Sequence, residues 1–496
     1  MLENEKAAKT WFGHPSGLST LFFTELWERF SYYGMRALLV LFMVDAVQNG
    51  GMGLDDKTAS SIYGLYAAFV YMAALPGGWI ADRLLGAQRS VWVGGLIIAA
   101  GHFTLAVPST PTFFLGLVLV VIGTGFLKPN ISAIVGQLYP EGGARRDAGF
   151  TIFYMGINMG AFLGPLICSY LGEQVNWHAG FGAAGVGMVF GVIQYKYSVG
   201  RLGDAGLHPS KPKGAASSGM DKAWYPVIGG FGLVFILVLL GITGAVQFNA
   251  LALAKNTTYL IVGLAFTFFI YVFAFGNLTK IERNHSIVIV VLFISSALFW
   301  SGFEQAGSSL NLFADRHTDR MLFGWEIPAG WFQSLNPFYI VVLAPIFAAC
   351  WVRLAKKQLD PSMPAKFALG LVILGLGFLV MVGAAKLVVA GNQAAPYWLI
   401  LTYLLHTMGE LCISPVGLSS VTKLAPKRFV GQMMGIWFLA TSLGNLMAGL
   451  LAGRFNPESL NEMPGLFMQI VMTTVGGGII LLIFTKPIKK LIGKLE

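Results

Sequence analysis

The segment TELWERFSYYGMR, residues 24–36, concentrates acids, bases and phenols within an apolar neighbourhood. Glu25, Glu28, Arg29, Tyr32, Tyr33 and Arg36 recur at offsets of 0, 3, 4, 7, 8 and 11, so a helix places them on one face. Lipid is excluded as the neighbour of that face, because one charge at a bilayer centre costs about 2.5 to 3.5 kcal/mol on insertion scales. The four charges therefore call for ionic partners and a wet, protein-lined cavity. Glu25 and Arg29, one turn apart, can form a static bridge. The full stripe points beyond a static bridge to function.

Other deep charges are sparse: Lys128 in GFLKPN, Glu304 in WSGFEQAGSS and Glu410 in HTMGELCISP. Pro129, after Lys128, is expected to break the regular helix and free a carbonyl near the site. Any two of these groups can neutralise one another as an interhelical salt bridge, and in sequence a structural pair looks the same as a switching pair. The cations Arg29, Arg36 and Lys128 fall in the first half of the chain, the anions Glu304 and Glu410 in the second. Such polarity suits a zwitterion, whose carboxylate meets the cations and whose ammonium meets the acids, whereas a simple anion or cation uses one pole. His102 and His406 are read as structural.

These side chains must be positioned by elements that live in lipid. The 496 residues have a mean hydropathy of +0.68 and are 11% charged, against about a quarter in soluble domains. Runs of roughly 20 apolar residues, each long enough to span a bilayer as a helix, number about fourteen. They centre near Phe30, Met72, Ala99, Leu119, Met159, Val189, Ile236, Phe266, Ala297, Val341, Ile373, His406, Leu443 and Val475. Near-continuous apolarity excludes the alternating strands of a membrane barrel, so the expected class is an all-α integral membrane protein. The 62 glycines read as close-packing material between membrane helices.

The net charge of +10 is a topological signal. With a cytoplasmic N-terminus, most Lys and Arg residues fall in cytoplasmic segments such as ARRDAG, RLAKKQ, KLAPKR and KPIKKLIGK, and both termini are expected inside. No nucleic-acid partner is implied; the medium is membrane lipid. Cys168, Cys350 and Cys412 lie in expected spans without metal-ligand spacing, so neither a disulfide framework nor a metal site is expected. The first apolar segment contains charges and is read as a retained span rather than a cleaved leader.

A basic Gly/Pro/Ser-rich stretch at 200–221 is expected to be a flexible cytoplasmic linker, with six spans before it and eight after. The two spans near Ile236 and Phe266 are almost free of ionisable residues. Setting that hairpin aside leaves six plus six: an N-terminal bundle at 1–199, a linker and inserted hairpin at 200–285, and a C-terminal bundle at 286–496. Two six-helix halves are the arrangement of the major facilitator superfamily, whose sites lie between the halves near the midplane. GGWIADRLLGAQRS resembles that superfamily's loop motif, here Gly78, Asp82, Arg83 and Gly86.

ELWERFSYYG, from Glu25 to Gly34, resembles the ExxERFxYYG signature of the proton-dependent oligopeptide transporter family. FLKPN from Phe126, FYMGINMGAFLGP from Phe153 and ELCISPVGLS from Glu410 are similar to further motifs of that family, in the same order. The resemblance covers essentially the whole chain, including the hairpin that bacterial members carry. It implies proton-coupled symport of di- and tripeptides into the cell by alternating access across a bacterial inner membrane, with the proton as coupling ion and no other cofactor. It also implies that Glu25, Glu28 and Arg29 form the proton-coupling cluster and that Lys128 responds to its protonation. Arg29, Tyr33 and Lys128 would hold the peptide carboxylate, Asn158, Asn336 and Glu410 its amino end and backbone, and Tyr71 and Trp437 would line the pocket. Arg36 and Glu304 resemble the pair that gates the extracellular side. Phe303 stands where some bacterial relatives carry a second acid, which leaves the proton count open, and the first two spans lack the His of animal members.

Three other readings are set against this one. A carrier of nitrate or a drug-like solute on the same fold would have little use for Glu410 opposite the cationic pole. A membrane enzyme finds no support, because the sequence contains no HExxH, no GxSxG and no paired phosphate loop. A channel would not need deep charge pairs.

Overall fold

The computed structural model of the chain describes residues 10–209, 223–454 and 460–493. It is built from helices, which follow in order as α1 (Gly17–Val44), α2 (Asp56–Ile80), α3 (Ala87–Leu105), α4 (Thr110–Gln137), α5 (Gly143–Gln174) and α6 (Trp177–Ser198). The inserted hairpin is α7 (Trp224–Ile242) and α8 (Ala250–Phe275). Then come α9 (Lys280–Phe303), the short α10 (Ser309–His317), α11 (Leu335–Lys356), α12 (Met363–Val389), α13 (Tyr397–Leu424), α14 (Val430–Ala452), α15 (Met463–Ile483) and the short α16 (Thr485–Ile492). The only strands among the described residues are two-residue ladders, β1 (Thr10–Trp11) with β2 (His14–Pro15) and β3 (Met321–Leu322) with β4 (Trp325–Glu326).

Apart from α10 and α16, each helix matches one expected span. Among the described residues, 11 helical runs are long and apolar enough to cross a membrane. The long helices outside that set are α1, which carries the four charges, and α3 and α6, which are diluted by glycine and polar residues.

The chain packs as two compact units. One comprises Met1–Leu38 and Met72–Phe248, the other Leu39–Tyr71 and Asn249–Glu496. Two of the divisions fall inside α1 and α2, and the third in the loop between α7 and α8.

In the first unit, α3 packs along α4 through facing glycines. A Cβ on Gly94 would meet the Gly123 carbonyl at 2.6 Å, and one on Gly101 the Gly116 carbonyl at 3.0 Å. Such backbone contact is how helices associate where lipid removes the hydrophobic drive. A buried cluster of Leu18, Leu21, Val91, Ile98, Leu127, Ile131, Phe153 and Met188 joins α1, α3, α4, α5 and α6. Helix α7 adds Val227 beside Ile80 and Phe126 and stacks Phe231 on Phe126 at 6.1 Å, while most of its other apolar side chains are exposed, as a lipid-facing helix requires.

The expected loop motif after the second span is helical. Ala81–Leu85 continue α2 as a π turn, with Asp82 and Arg83 exposed. Gly86 then turns the chain at φ 81°, where a Cβ would also stand 2.7 Å from the Leu207 carbonyl. Only glycine meets both demands at low cost.

The expected flexible linker needs correction at its start. Gly203 to Gly206 are docked: Gln88 Nε2 donates to the carbonyls of Gly203 and Ala205 at 2.9 Å, and the Gly206 N–H donates to Gln137 at 2.7 Å. Residues 210–221 of the expected linker lie outside the described residues.

In the second unit, α12 packs on α13 and α15, and α14 on α8 and α9. The first half of α2 enters this unit through small residues. A Cβ on Gly64 would meet the Asn445 carbonyl at 3.0 Å, and Ser442 Oγ donates to the Ala68 carbonyl at 3.2 Å. The start of α2 is clamped as well: Arg316 of α10 grips the buried Asp56 with two parallel bonds of 2.6 and 2.8 Å.

Candidate functional site

The charged stripe of α1 is buried: Glu25 is 2% exposed, Glu28 0%, Arg29 4% and Arg36 6%. Arg29 Nε sits between two carboxylates, 2.7 Å from Glu25 Oε1 and 2.8 Å from Glu28 Oε2. The expected Glu25–Arg29 bridge therefore exists with a second acid on the same nitrogen. Two carboxylates sharing one guanidinium leave a formal excess of one negative charge, which a proton or another cation can cancel. Lys128, half-buried on α4, is among the charges that act on Glu28. The guanidinium of Arg29 lies 5.7 Å from the centre of the Tyr32 ring, and that of Arg36 5.6 Å from the centre of the Tyr33 ring, within cation–π range.

The FYMGINMGAFLGP segment explains how so polar a helix is seated. Gly156, Gly160 and Gly164 recur every fourth residue on α5 and receive α1. A Cβ on Gly156 would press on Phe22, one on Gly160 on the Leu26 carbonyl and on Arg29 Cβ, and one on Gly164 on the Phe30 carbonyl. Gly34 repeats the contact from α1, against Gly164 and Cys168. The glycines of α5 thus let α1 approach closely at the level of Arg29. Asn158, on the same helix and buried, donates to its own Tyr154 carbonyl at 2.9 Å.

One local expectation is corrected at Lys128. Pro129 does not break its helix; α4 runs uninterrupted from Thr110 to Gln137. Asn130 Nδ2 donates to the Phe126 carbonyl at 2.7 Å, and Gly77 of α2 lies so close that a Cβ there would overlap the Gly125 carbonyl. Such tolerance of proline is common in membrane helices.

In the second unit, α9 stops at Phe303 and Glu304 begins a single 3-10 turn, Glu304–Gly307, before α10. Glu304 is 3% exposed. The interruption is held by Gln305, which donates to the Ala448 carbonyl at 3.1 Å and accepts from Ser309 at 2.6 Å. On α13, Glu410 Oε2 accepts a 2.9 Å hydrogen bond from Asn336 Nδ2 of α11, and the same amide lies 3.1 Å from Thr407 Oγ1. Asn336 and Glu410, expected to act together, are thus in direct contact. Trp437 stands apart from them, 8% exposed, over Gly417 and edge-on to Phe367 at 6.3 Å. Gly417 is seven residues beyond Glu410, about 10 Å along the helix. Tyr71, on α2, is half-buried. His406 packs its ring on Phe378 at 4.7 Å and His102 is fully buried.

The bidentate Asp56–Arg316 pair was not anticipated from sequence. Both residues flank apolar segments, where charges are ordinary; the available signal was an acid at the first position of a helix, which the helix dipole favours.

A polytopic helical membrane protein with partner-sharing charges on its first span and a carboxamide-held carboxylate on α13 has the layout of a solute transporter. The known proteins it resembles agree. The POT family pattern matches residues 88–464, and the chain belongs to that family. The peptide transporter YePEPT of Yersinia enterocolitica subsp. palearctica is 42% identical over 99% of this chain and 98% of that protein. A di-/tripeptide transporter of Lactococcus lactis subsp. cremoris is 39% identical over 98% of each. The crystal structure of a peptide transporter POT in complex with sulfate superposes with a TM-score of 0.90 at 42% identity, covering 98% of each chain. A POT family transporter solved with a thioalcohol-conjugated peptide gives 0.87 at 36% identity, over 97% of this chain and 98% of that one.

Proposed function

We propose that the protein carries di- and tripeptides into a bacterial cell together with protons, by alternating access across the inner membrane. The basic segments and both termini face the cytoplasm. The observation that carries the proton half of the reading is Arg29 held between Glu25 and Glu28 in a buried cluster. Protonation of either acid weakens its hold on Arg29 and changes the balance with Lys128, so the cations become available to a peptide carboxylate. Arg29, Tyr33 and Lys128 take that carboxylate; Asn158, Asn336 and Glu410 take the amino end and backbone; Tyr71 and Trp437 supply apolar surface. Arg36 and Glu304 act as gate partners that change their pairing as the transporter cycles, Glu304 also taking part in proton coupling and Arg36 in substrate binding, and Lys128 and Glu410 are further gate residues.

A proton moving down an inward-negative potential brings about 2.3 kcal/mol per 100 mV and about 1.36 kcal/mol per pH unit, sufficient to drive uphill uptake. No further cofactor is required. Uptake of a labelled dipeptide into proteoliposomes under an imposed proton gradient tests the reading. Accumulation above the external concentration, abolished by a protonophore, is expected; gradient-insensitive flux or no saturable peptide exchange would return the choice to a carrier of another solute or a channel.

A further inference from the structure

Helix α16, TKPIKKLI, plays no part in the transport reading. Lys486, Lys489 and Lys490 stand at offsets of 0, 3 and 4 and share one helix face, whereas Ile488 and Ile492 lie on another. The two isoleucines are buried where α16 packs on α9 and α12, and the three lysines are exposed. His285 of α9 fixes the last turn by a 2.9 Å hydrogen bond from Nε2 to the Ile492 carbonyl. The lysines are thus presented on a docked platform rather than a loose tail.

Immediately before α16, the end of α15 is apolar and open. Ile480 is 59% exposed, Ile483 68% and Phe484 54%, and Phe484 is two residues from Lys486. At the start of α9, Glu282 is already engaged, by the Thr279 cap and by Arg428 at 3.4 Å. Lys280 and Arg283 beside it are exposed.

We propose that α16 and the end of α15 form a docking surface for acidic phospholipid, with Lys486, Lys489 and Lys490 receiving the anionic headgroup and Ile480, Ile483 and Phe484 lying along the acyl chains. Free inorganic phosphate offers the lysines the same charge but leaves the apolar strip uncovered, so the continuity of the two surfaces selects the lipid. Basic clusters beside a span attract anionic leaflets electrostatically. A cluster held on a packed helix adds orientation to that attraction.

The test measures binding of fluorescent phosphatidylglycerol and, as the neutral control, fluorescent phosphatidylcholine to the detergent-solubilised full-length protein by anisotropy. The wild type is expected to prefer phosphatidylglycerol by at least tenfold and up to about 150-fold, the upper figure being that of three lysines at about 1 kcal/mol each. K486Q/K489Q/K490Q should lose the preference and K486R/K489R/K490R should keep it, which separates charge from folding of the helix. Added salt should weaken the preference equally whether the anion is chloride or phosphate at matched ionic strength. Displacement by phosphate well beyond chloride would overturn the lipid assignment in favour of a soluble anion, and an undiminished preference in the glutamine variant would overturn the site itself.

Discussion

Replacing Glu410 by Gln removes one charge and almost nothing else. The new side chain keeps a carbonyl oxygen where Glu410 Oε2 accepts from Asn336 Nδ2 at 2.9 Å, so the α11–α13 contact survives. What is lost is the charge-assisted bond to a peptide ammonium. A hydrogen bond to a charged group contributes about 1.5 to 3 kcal/mol, or about 10- to 150-fold in affinity. Competition by a free dipeptide and its N-acetyl derivative should therefore be compared in wild-type and Glu410→Gln proteoliposomes. The free dipeptide should lose affinity by that factor, and the acetylated one, which brings no ammonium, should change little. The ratio of the two ratios isolates the coupling, as in a double-mutant cycle. Equal losses for both peptides would show that Glu410 is not the ammonium partner, and the zwitterion argument would fail with it.

Glu25→Gln or Glu28→Gln should abolish gradient-driven accumulation while preserving some peptide counterflow, and undiminished uphill uptake in both variants would remove the cluster from coupling. Gly160→Leu should displace α1 at Arg29; overpacking of this kind costs about 1 to 3 kcal/mol, so a lower thermal midpoint in detergent is expected together with loss of driven uptake, and wild-type behaviour would contradict the seating argument. Asp56→Ala leaves Arg316 without its bidentate partner and should destabilise the second unit, with the charge-swapped D56R/R316D recovering part of the loss; independent, additive effects in that cycle would mean the pair is incidental.

What sequence could reveal followed the range of the forces involved. The helices were legible because lipid demands long apolar runs, and the stripe of α1 because residues three and four apart share a face whatever surrounds them. Pairing of Glu25 with Arg29 is local and legible; the second ion pair, with Glu28, depends on the rotamer of Arg29, which spacing does not determine. The glycines at 156, 160 and 164 were recognised as a family motif, yet their purpose rests on a contact with α1 more than a hundred residues away. Asn336 beside Glu410 came from resemblance alone, and nothing in the sequence pairs Asp56, an acid at a helix start, with Arg316. Pro129 misled because the rule for soluble helices assumes that nothing else rescues the backbone.

The seating of α2 also governs the order in which the protein can be made. The Ala68 carbonyl accepts from Ser442, 374 residues later, and Gly64 packs against Asn445 and Gly449 of the same late helix. At synthesis rates of about 5 to 20 residues per second, the first half of α2 leaves the ribosome roughly 20 to 75 s before α14 exists to receive it. During that interval its small-residue face must be covered by lipid, by the insertion machinery or by a provisional partner. Chains stalled before α14 should accordingly leave a cysteine placed at Ala68 open to a membrane-permeant thiol reagent, and full-length chains should protect it. Protection already present in the stalled chain would show that another element receives α2 first.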